Sequence, residues 1–347
     1  MEYLLNRWYA AGWSHEITRD LKVKTLLDEP ILFYRMQSGE AVAMSDRCPH
    51  RRAPLHRGRL FDDTVRCPYH GLRFDQAGRC VENPIGDGRI PVKAKLKTFP
   101  LAEANGIVWI WFGKREPDYS KVIRFDFLDD PTKYTFVEGY MLVEANYMLV
   151  SDNLLDLSHA EFLHPNLSSP GSNKRVKFSV EQDGEAVRAL NWRPSEPTTA
   201  MFRMAFGENA EDTVDMWSNV TWHPPAAICV EVGATTVGDL KANGLNTLTA
   251  HVITPETERR SHYFWKLART FKRDDAEFSQ RLQALVQSAF DTEDKPIIEA
   301  QQRYLQIGGS TPPQPVFLRS DAAGIRAKRI LTDLIQSQIE TSAADAP

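Results

Sequence analysis

Two short cysteine–histidine pairs constrain this chain more than any other part of its sequence. The first is Cys48-Pro49-His50, the second is Cys67-Pro68-Tyr69-His70, and sixteen residues separate them. Each pair offers one thiolate and one imidazole. Two thiolates and two imidazoles suit either a single zinc ion or a [2Fe–2S] cluster with both histidines on one iron. The chain must therefore fold so that two metal-binding loops meet.

The arrangement within each loop favours the cluster. A zinc finger usually places its two cysteines together and its two histidines together, the latter on a helix. Here each loop carries one residue of each kind, and the prolines in both loops, with Gly71 after the second, predict tight turns. Two such turns can clamp a cluster from opposite sides. Cys48 and Cys67 would bind one iron, and His50 and His70 would bind the other. A structural zinc site is the alternative.

The composition is that of an ordinary globular chain. Of the 347 residues, 42% are hydrophobic and 25% are charged, and the net charge is −4, so we expect no basic surface for nucleic acid. The longest strongly apolar run, Ile107–Phe112, is far too short to cross a bilayer. The N-terminus lacks a basic stretch followed by an apolar one, so we expect a cytoplasmic protein. The two other cysteines, Cys80 and Cys229, are expected to be free thiols.

The pattern of apolar residues predicts two domains. Residues 1–115 are expected to form a small all-β domain that holds the two metal-binding loops. Within it, Ile107–Phe112 is predicted to be a buried strand, and Gln76-Ala77-Gly78 the turn of a hairpin. Residues 113–130 are charged and contain proline, which is typical of a linker. The second domain is expected to occupy residues 116–347.

The second domain is predicted to combine a sheet with helices. Helices are expected at 146–163, at 274–304 with a break at Pro296, and at 320–340. The predicted strands alternate in polarity and are separated by turn residues; they are 134–142, 175–181, 186–192, 213–222, 226–233, 247–254 and 261–268.

The first predicted helix of this domain carries a second candidate metal site. Asp152, Asp156 and His159 have i, i+4, i+7 spacing, which places them on one helical face. His159 and His164 are five residues apart, so both can bind one ion only if the helix ends or bends, and Pro165 is consistent with an ending. Two histidines and a distant carboxylate would form the facial triad of non-haem Fe(II) oxygenases. The alternative is a polar helix face with two surface histidines.

The third ligand of such a triad must come from a distant element. The helix predicted at 274–304 offers Asp291, Glu293 and Asp294. Pro296 disturbs the helix two residues after Asp294, so we expect an irregular backbone there that aims a side chain. Residue chemistry alone leaves all three carboxylates open, and an exposed helix charge is the alternative for each.

With both sites considered, the sequence resembles the oxygenase component of Rieske non-haem iron oxygenases over nearly its whole length. C-P-H-R-R-A-P-L and C-P-Y-H-G-L match the cluster loops, and N-L-L-D-L-S-H-A-E-F-L-H matches the iron helix. N-R-W-Y-A-A, V-I-T-P-E-T-E and E-D-K-P-I-I-E-A are similar to the O-demethylases of the vanillate O-demethylase and dicamba monooxygenase type. The resemblance implies an α+β fold, with an N-terminal all-β Rieske domain and a C-terminal helix-grip-like domain that has an antiparallel sheet and a non-haem iron site.

The resemblance also implies roles for individual residues. It makes Asp294, rather than Asp291 or Glu293, the carboxylate that joins His159 and His164 on the iron.

Two further residues are implied to be catalytic. Asp156 matches the family's bridging aspartate, which would hydrogen-bond His159 and, in a head-to-tail trimer, His70 of the neighbouring subunit. Asn153 matches a nearby family asparagine. In such a trimer the cluster of one subunit faces the iron of the next, so Asp156 would link two redox centres.

The family's reaction supplies the expected activity. A reductase of the flavin or ferredoxin type would take electrons from NAD(P)H and deliver them through the [2Fe–2S] cluster to mononuclear Fe(II), where O₂ is activated. A methyl or methoxy group of an aromatic substrate would then be hydroxylated. With a methoxy group the product would collapse to a phenol and formaldehyde, which is an O-demethylation typical of aromatic catabolism.

His251 is the expected substrate-binding residue. It matches the position that holds the substrate carboxylate in the dicamba monooxygenase type, so the resemblance implies an anionic aromatic substrate. A structural histidine on a strand is the alternative. The second polar carboxylate-binding position of that type is occupied here by Val230, so the pocket departs from it. The Met and aromatic side chains of 200–206 are expected to be mostly core.

Three other functions stay open from the sequence. The same machinery could hydroxylate a methyl group on carbon or nitrogen, as in aryl-methyl monooxygenases, or dihydroxylate a ring. A non-catalytic Rieske electron carrier is the second, although a carrier needs no second iron. A structural zinc protein is the third.

Overall fold

A computed structural model of the chain describes residues 3–164, 166–307 and 315–344. They form two units: Tyr3–Arg124 together with Thr254–Glu258, and Phe125–Ile253 together with the described residues of Arg259–Pro347. Pro165, the residue expected to end a helix, lies outside the described residues. None of the helices in the described part of the chain is both long and apolar enough to span a membrane.

The first unit consists of antiparallel strands, which confirms the predicted all-β domain. The strands are β1 (Arg7–Trp13), β2 (Lys22–Leu26), β3 (Glu29–Arg35), β4 (Ala41–Ser45), β5 (Arg59–Phe61), β6 (Thr64–Arg66), β7 (Arg73–Phe74), β8 (Cys80–Glu82), β9 (Leu101–Ala104) and β10 (Ile107–Phe112). They pair in three sheets with the orders β1-β10-β9, β2-β3-β4 and β5-β6-β7-β8.

β10 is the central strand of its sheet, between β1 and β9, and all six of its residues are buried. Aromatic and β-branched side chains on both faces of the strand explain this burial, because neither face is left for water. The predicted strand Ile107–Phe112 is therefore confirmed with the same bounds. The predicted hairpin is also confirmed, since β7 and β8 pair through Phe74 and Cys80.

The second unit is organised on a seven-stranded antiparallel sheet. Its strands are β11 (Thr135–Val143), β12 (Lys177–Asp183), β13 (Ala186–Pro197), β14 (Thr213–His223), β15 (Ala227–Thr235), β16 (Leu245–Thr257) and β17 (Arg260–Arg269). Their order is β11-β17-β16-β15-β14-β13-β12, so neighbours in sequence are mostly neighbours in the sheet. All seven strands predicted for this domain are present. β13 extends five residues past its predicted end, from residue 192 to Pro197.

The described part of the second unit also contains helices. They are α1 (Tyr147–Leu155), α2 (Ala160–Leu163), α3 (Ser172–Arg175), α4 (Ala200–Phe206), α5 (Ala276–Ser288), α6 (Lys295–Gln306) and α7 (Ala322–Ala344). Of these, α1, α3, α5 and α7 contact the sheet. α5 begins at an Asp275 cap, whose carboxylate accepts the Phe278 N–H (2.8 Å), and buries Phe278 and Leu282 one turn apart. The short helices α3 and α4 were not predicted. Met201 of α4 lines a cavity, whereas Phe202 is fully buried core.

The prediction of a single helix at 146–163 is wrong. α1 ends at Leu155 because Asp156 leaves the helical region (φ −116°, ψ 92°), and a 3₁₀ turn at Leu157–His159 then leads into α2. The Asp156 carboxylate accepts the Ser158 N–H (2.9 Å), so it caps the new turn. Asp156 and His159 consequently do not share a helical face with Asp152. The spacing argument that joined these three residues fails for this reason.

The predicted break in the helix at 274–304 is confirmed, but it begins upstream of Pro296. α5 ends at Ser288, and Ala289–Asp294 form a π-helix before α6 starts. Pro296 lies in the first turn of α6, where its missing N–H is tolerated. The backbone at Asp294 is therefore irregular, as predicted, and π-helical turns of this kind widen a helix where a side chain must be aimed.

Gly139 on β11 gives Trp265 of β17 the space to pack beside the π-helix. A Cβ added at Gly139 would lie 2.5 Å from Trp265 Cε2, and Trp265 packs on Phe290 with ring centroids 5.8 Å apart. We predict that Gly139→Ala lowers the free energy of unfolding by about 1–3 kcal/mol through overpacking. Urea unfolding followed by circular dichroism measures the change.

Gly12→Ala is the matched control for this variant. The added Cβ would meet the Nζ end of the Lys24 side chain at 2.9 Å and Glu16 Oε2 at 3.5 Å, and both atoms are the far ends of flexible side chains. Its unfolding midpoint should stay near that of the wild type. Equal stability of the Gly139 and Gly12 variants would contradict the packing argument.

Candidate metal centres and the adjoining cavity

The two cysteine–histidine loops meet in the first unit. Cys48 follows β4, and Cys67 lies in the connection from β6 to β7. Each loop is a tight turn closed by backbone hydrogen bonds, Arg52 N to Cys48 O (2.8 Å) and Gly71 N to Cys67 O (3.2 Å). Gly71 has φ +77°, which favours glycine. The predicted turn geometry of both loops is confirmed.

The four candidate cluster ligands separate into a buried and an outer pair. Cys48 and Cys67 are 1% and 3% exposed, whereas His50 is exposed and His70 half-buried. The two imidazole rings lie 4.5 Å apart. Burial raises the pKa of the Cys48 thiol to about 11, and the adjacent Cys67 thiol adds to the increase. Cys80 and Cys229 are free thiols, as expected.

This donor set fits a [2Fe–2S] cluster with two kinds of iron ligand. Thiolates at a buried position need a strong positive charge beside them, which iron provides. The histidines, at the outer side, suit the second iron, whose imidazole ligands raise the potential of a cluster relative to four thiolates. The observed separation of buried thiols from outer imidazoles agrees with that arrangement.

A second cluster of donor atoms lies in the second unit. His159, His164 and Asp294 each present one donor atom, and all three atoms lie within 4.8 Å of one another. Asp294 Oδ1 is 3.4 Å from His159 Nε2 and 3.2 Å from His164 Nε2. His164 and Asp294 are buried, whereas His159 is partly exposed. The structure thus brings together the three residues expected to bind iron.

The broken helices explain how these residues meet. His159 precedes α2 and His164 follows it, so one short helical segment presents an imidazole at each end. Their rings lie 5.2 Å apart. The π-helix that follows α5 ends at Asp294 and turns its carboxylate towards both rings. Five residues of separation, too many for one helical face, become compatible with one ion because the helix is interrupted.

The outer nitrogen of each imidazole has its own partner. His159 Nδ1 lies 2.7 Å from the backbone oxygen of Asp156, and His164 Nδ1 lies 2.6 Å from Glu293 Oε2. Because these oxygens only accept hydrogen bonds, each Nδ1 carries the proton. In the neutral imidazoles the Nε2 lone pairs then point at the Asp294 carboxylate. The nitrogen lone pairs and the carboxylate repel each other unless a cation lies between them. The three donor atoms therefore fit a metal ion.

Electrostatics at the site favour a positive charge. Burial by itself would raise the pKa of Asp294, but the contacts with His159 and His164 lower it below its ordinary value. Burial lowers the pKa of His164, but Asp294 and Glu293 more than offset this and raise it. A divalent cation bound by these groups would replace the proton that the site otherwise attracts.

The other two carboxylates of this segment have different partners. Asp291 Oδ2 accepts a hydrogen bond from Gln287 Nε2 (2.7 Å). Glu293 contacts the outer nitrogen of His164, not the side that faces Asp294. Sequence reasoning considered Glu293 only as a ligand, and its contact with His164 was missed. No pattern in the sequence signals such a contact, because the two residues are 129 positions apart.

Asn153 and Asp156 both lie beside the triad. Asn153 Nδ2 donates to Asp294 Oδ1 (3.0 Å), which fixes that carboxylate. The Asp156 contact differs from expectation, since its backbone carbonyl, and not its carboxylate, accepts from His159. The Asp156 carboxylate instead caps the turn at Ser158 through Oδ1. The bond predicted between the Asp156 carboxylate and His159 is therefore absent here.

A cavity of about 180 Å³ adjoins the three donor residues. Its wall is mostly apolar and is formed by the inner face of the sheet and the surrounding helices; the larger apolar residues are Leu154, Leu157, Leu167, Met201, Met216, Val230, Val232, Leu267, Val286 and Phe290. Ser168, Arg193, Glu196, Thr199 and Ser218 add polar groups. The sequence did not indicate Arg193 or Glu196, whose positions depend on the path of β13.

His251 lies in the wall of this cavity, on β16. It is 3% exposed, and burial lowers its pKa to about 3, so the imidazole is neutral. Its Nδ1 lies 2.8 Å from the Tyr263 hydroxyl, and its ring lies 5.7 Å from that of Phe290. Val230, which stands where a second polar carboxylate-binding residue was expected, is also part of the wall. His251 can thus offer a substrate a hydrogen bond but no charge.

Comparison with known proteins agrees with both centres. Residues 7–100 match the Rieske [2Fe-2S] domain, and residues 143–337 match the vanillate O-demethylase oxygenase C-terminal domain. The chain is 34% identical to the oxygenase component of chloroacetanilide N-alkylformylase from Rhizorhabdus wittichii, over 97% of both chains. It is 35% identical to the iron–sulfur subunit of a toluene-4-sulfonate monooxygenase system from Comamonas testosteroni, over 95% of this chain and 96% of the relative. The crystal structure of dicamba monooxygenase bound to 3,6-dichlorosalicylic acid has a TM-score of 0.91 at 33% identity, and the match covers 98% of this chain and 99% of that one.

The contact between Glu293 and His164 predicts an effect on metal affinity. Glu293→Gln keeps an acceptor near Nδ1 but removes the charge that makes the imidazole a stronger donor to the metal. We expect the affinity for iron at the His159–His164–Asp294 site to fall by roughly tenfold or more. Competition with a chelator of known affinity measures the change, while the visible spectrum of the cluster should be unaltered.

Glu277→Gln serves as the control because Glu277 is an exposed residue of α5 paired with Arg281. It should retain wild-type iron affinity. A Glu293→Gln enzyme that resists the chelator as well as the wild type does would show that this contact has no influence on the metal.

Proposed function

Because this chain belongs to the Rieske non-haem iron oxygenases, in the vanillate O-demethylase group, we propose that it hydroxylates a methyl or methoxy group of an anionic aromatic. With a methoxy group the reaction is an O-demethylation that releases formaldehyde. It is an oxygenase component that uses a [2Fe–2S] cluster and mononuclear iron. The convergence of His159, His164 and Asp294 beside an apolar cavity carries the proposal. We assign residues 1–115 to the cluster domain and 116–347 to the catalytic domain.

We propose that His159, His164 and Asp294 hold the iron, and that the cluster is held by Cys48, His50, Cys67 and His70. When bound, the cluster supplies electrons one at a time, and the iron supplies the activation of O₂. The facial arrangement of two imidazoles and one carboxylate leaves positions for further ligands. The Asn153 amide, which donates to Asp294, keeps that carboxylate in one orientation.

The cavity favours an aromatic substrate. Its apolar wall excludes water from the reacting group, and the Phe290 ring lies beside His251. We assign to His251 the tautomer in which the Tyr263 hydroxyl donates to Nδ1, so that Nε2–H can donate to the substrate. One similar protein is named for toluene-4-sulfonate, and the crystal structure of dicamba monooxygenase is bound to 3,6-dichlorosalicylic acid; both compounds are acidic aromatics. These compounds support an anionic substrate here.

The proposed assembly requires two kinds of partner. The relatives are named as components or subunits of larger systems, which supports a separate reductase that draws on NAD(P)H. We further propose a homotrimer in which Asp156 contacts His70 of a second copy. The backbone oxygen of Asp156 already holds His159, so one residue would contact ligands of both centres.

A second reaction of the same machinery is favoured by one relative. The toluene-4-sulfonate monooxygenase subunit is 35% identical to this chain. Hydroxylation of an aryl methyl group needs the same cavity and metal site and differs only in the atom that bears the methyl. A non-catalytic electron carrier is disfavoured, because such a carrier has no use for the His159–His164–Asp294 site.

Turnover with a panel of anionic aromatics tests the proposal. The enzyme is supplied with a flavin–ferredoxin reductase pair and NADH, and methoxybenzoates, methylbenzoates and toluene-4-sulfonate are offered in turn. We predict that a methoxybenzoate gives a phenol and formaldehyde in proportion to the O₂ consumed, because the hydroxymethyl product collapses. Hydroxymethyl or diol products without formaldehyde would instead place the enzyme in the methyl- or ring-hydroxylating branch.

His159→Ala provides the mechanistic control. It should abolish product formation while leaving the cluster spectrum and its reduction by the reductase unchanged, since His159 and the cluster ligands belong to different units. Glu277→Gln should retain wild-type turnover. Product formation by His159→Ala at the wild-type rate would exclude the second iron from the reaction.

A further inference from the structure

The cavity contains a cation that has no role in the proposal above. Arg193 is 8% exposed and lies in the cavity wall. Its Nη1 donates to Ser218 Oγ (2.9 Å), and its Nε is buried without a hydrogen-bond partner. Within the described ranges, its guanidinium forms no ion pair with a carboxylate. A buried guanidinium without an anion is unfavourable, so this arrangement points to an anionic ligand.

A β-bulge directs Arg193 into the cavity together with Glu196. Arg193 pairs with Met216 and Glu196 pairs with Val214, so β13 has one residue more than β14 between these pairs. Ser195 in the bulge has φ +50°. In a regular strand two side chains three positions apart face opposite sides. The extra residue allows both Arg193 and Glu196 to line the cavity.

Glu196 does not supply the missing anion, because it is already bound to another cation. Its Oε2 accepts from Arg175 Nε (2.7 Å), and its Oε1 accepts from Arg175 Nη2 (3.0 Å) and from the Ser169 hydroxyl. A bidentate arginine–carboxylate pair of this kind uses most of the carboxylate's capacity. Burial lowers the pKa of Arg193, and the charge of Glu196 offsets part of this effect.

A second polar group in the cavity wall lacks a partner. The Thr199 hydroxyl is buried and forms no hydrogen bond in the described part of the chain, although Thr199 precedes α4 and could cap it. Buried hydroxyls are usually hydrogen-bonded. Two independent donors, the Arg193 guanidinium and the Thr199 hydroxyl, are therefore available to one ligand in the same cavity.

Arg193 and His251 lie towards different ends of the sheet. Ser218, the partner of Arg193, pairs with Val232, and Val232 pairs with Thr247 on β16. His251 is four residues farther along β16, a distance of roughly 13 Å along the strand. The charge of Asp294 acts on His251, and Phe290 of the π-helix contacts it, so the metal end of the cavity is the His251 end.

We infer that Arg193 binds the acidic group of the substrate, a carboxylate or a sulfonate, and holds it at the end of the cavity away from the metal ligands. The inference rests on the proposed function, since it identifies the group that makes its substrate anionic and where that group is held. Arg193 supplies the charge that neutral His251 does not supply, and Val230 leaves the expected second position without a polar group. A planar guanidinium with free N–H groups suits both oxyanions.

Ligand binding to the holoenzyme tests this inference. Isothermal titration calorimetry compares 4-methoxybenzoate with 4-methoxybenzamide, and toluene-4-sulfonate with toluene-4-sulfonamide, so that each anion has a neutral counterpart. The wild type should prefer at least one anion. Arg193→Met should weaken binding of that anion by at least about tenfold and change binding of the neutral compound by less than about twofold. Arg193→Lys should recover part of the preference.

Arg188→Met is the matched control, because Arg188 belongs to the same strand but is exposed and faces Asp183. It should bind all four compounds as the wild type does. Ser218→Asp is a second variant that gives Arg193 an internal carboxylate. It should lose the preference for the anion and still bind the neutral compounds, and it tests the inference even if Arg193→Met does not fold.

The inference is overturned if the wild type binds neither anion better than its neutral counterpart, or if a folded Arg193→Met enzyme keeps that preference. Equal loss of anion and neutral binding would also overturn it, since this would indicate a structural role. Binding of an anion through Arg193 without product from any substrate would support this inference and contradict the proposed hydroxylation.

Discussion

The buried carboxylate of Asp294 is the group on which the catalytic half of this protein depends. It is 4% exposed, and a carboxylate so placed requires donors or cations around it. One donor is the Asn153 amide. The imidazoles of His159 and His164 turn their Nε2 atoms towards it, because their Nδ1 atoms are held from outside. A metal ion satisfies these three groups at once. Regular helix stops after α1 and again after α5, and the irregular backbone that follows each helix allows the three side chains to meet.

The same unit also separates the candidate metal site from a buried cation, Arg193. The metal-binding residues lie at the His251 end of the cavity. Arg193 lies at the β-bulge near the C-terminal end of β13. The wall between them is largely apolar, so it provides packing for a ring but no alternative partner for a charge. An acidic aromatic bound by Arg193 would be oriented along the cavity, with its other end directed at the metal. This separation offers a physical basis for orientation without a second polar residue at Val230.

The cluster domain depends more on local sequence than the catalytic domain does. Short loops with proline and glycine fix the backbone locally around Cys48, His50, Cys67 and His70. Burial of the two thiols and the outer location of the two imidazoles complete the environment. For this reason the motif was sufficient to predict the two turns, whereas the all-β domain around them was predicted from the pattern of apolar residues. The seven strands of the second sheet were likewise evident from their alternation.

The sequence by itself determined the kinds of ligand, the strands of the second sheet and the presence of a break in the helix near Pro296, because these depend on local residue chemistry. It did not determine the break at Asp156, although the D-L-S order is a capping signal, since apolar residues on both sides also favour a continuous helix. Only the tertiary structure decided that Glu293 holds His164 and that Arg193 and Glu196 enter the cavity. Those contacts join residues far apart in the chain or depend on one extra residue in a strand, and neither leaves a periodic pattern in the sequence.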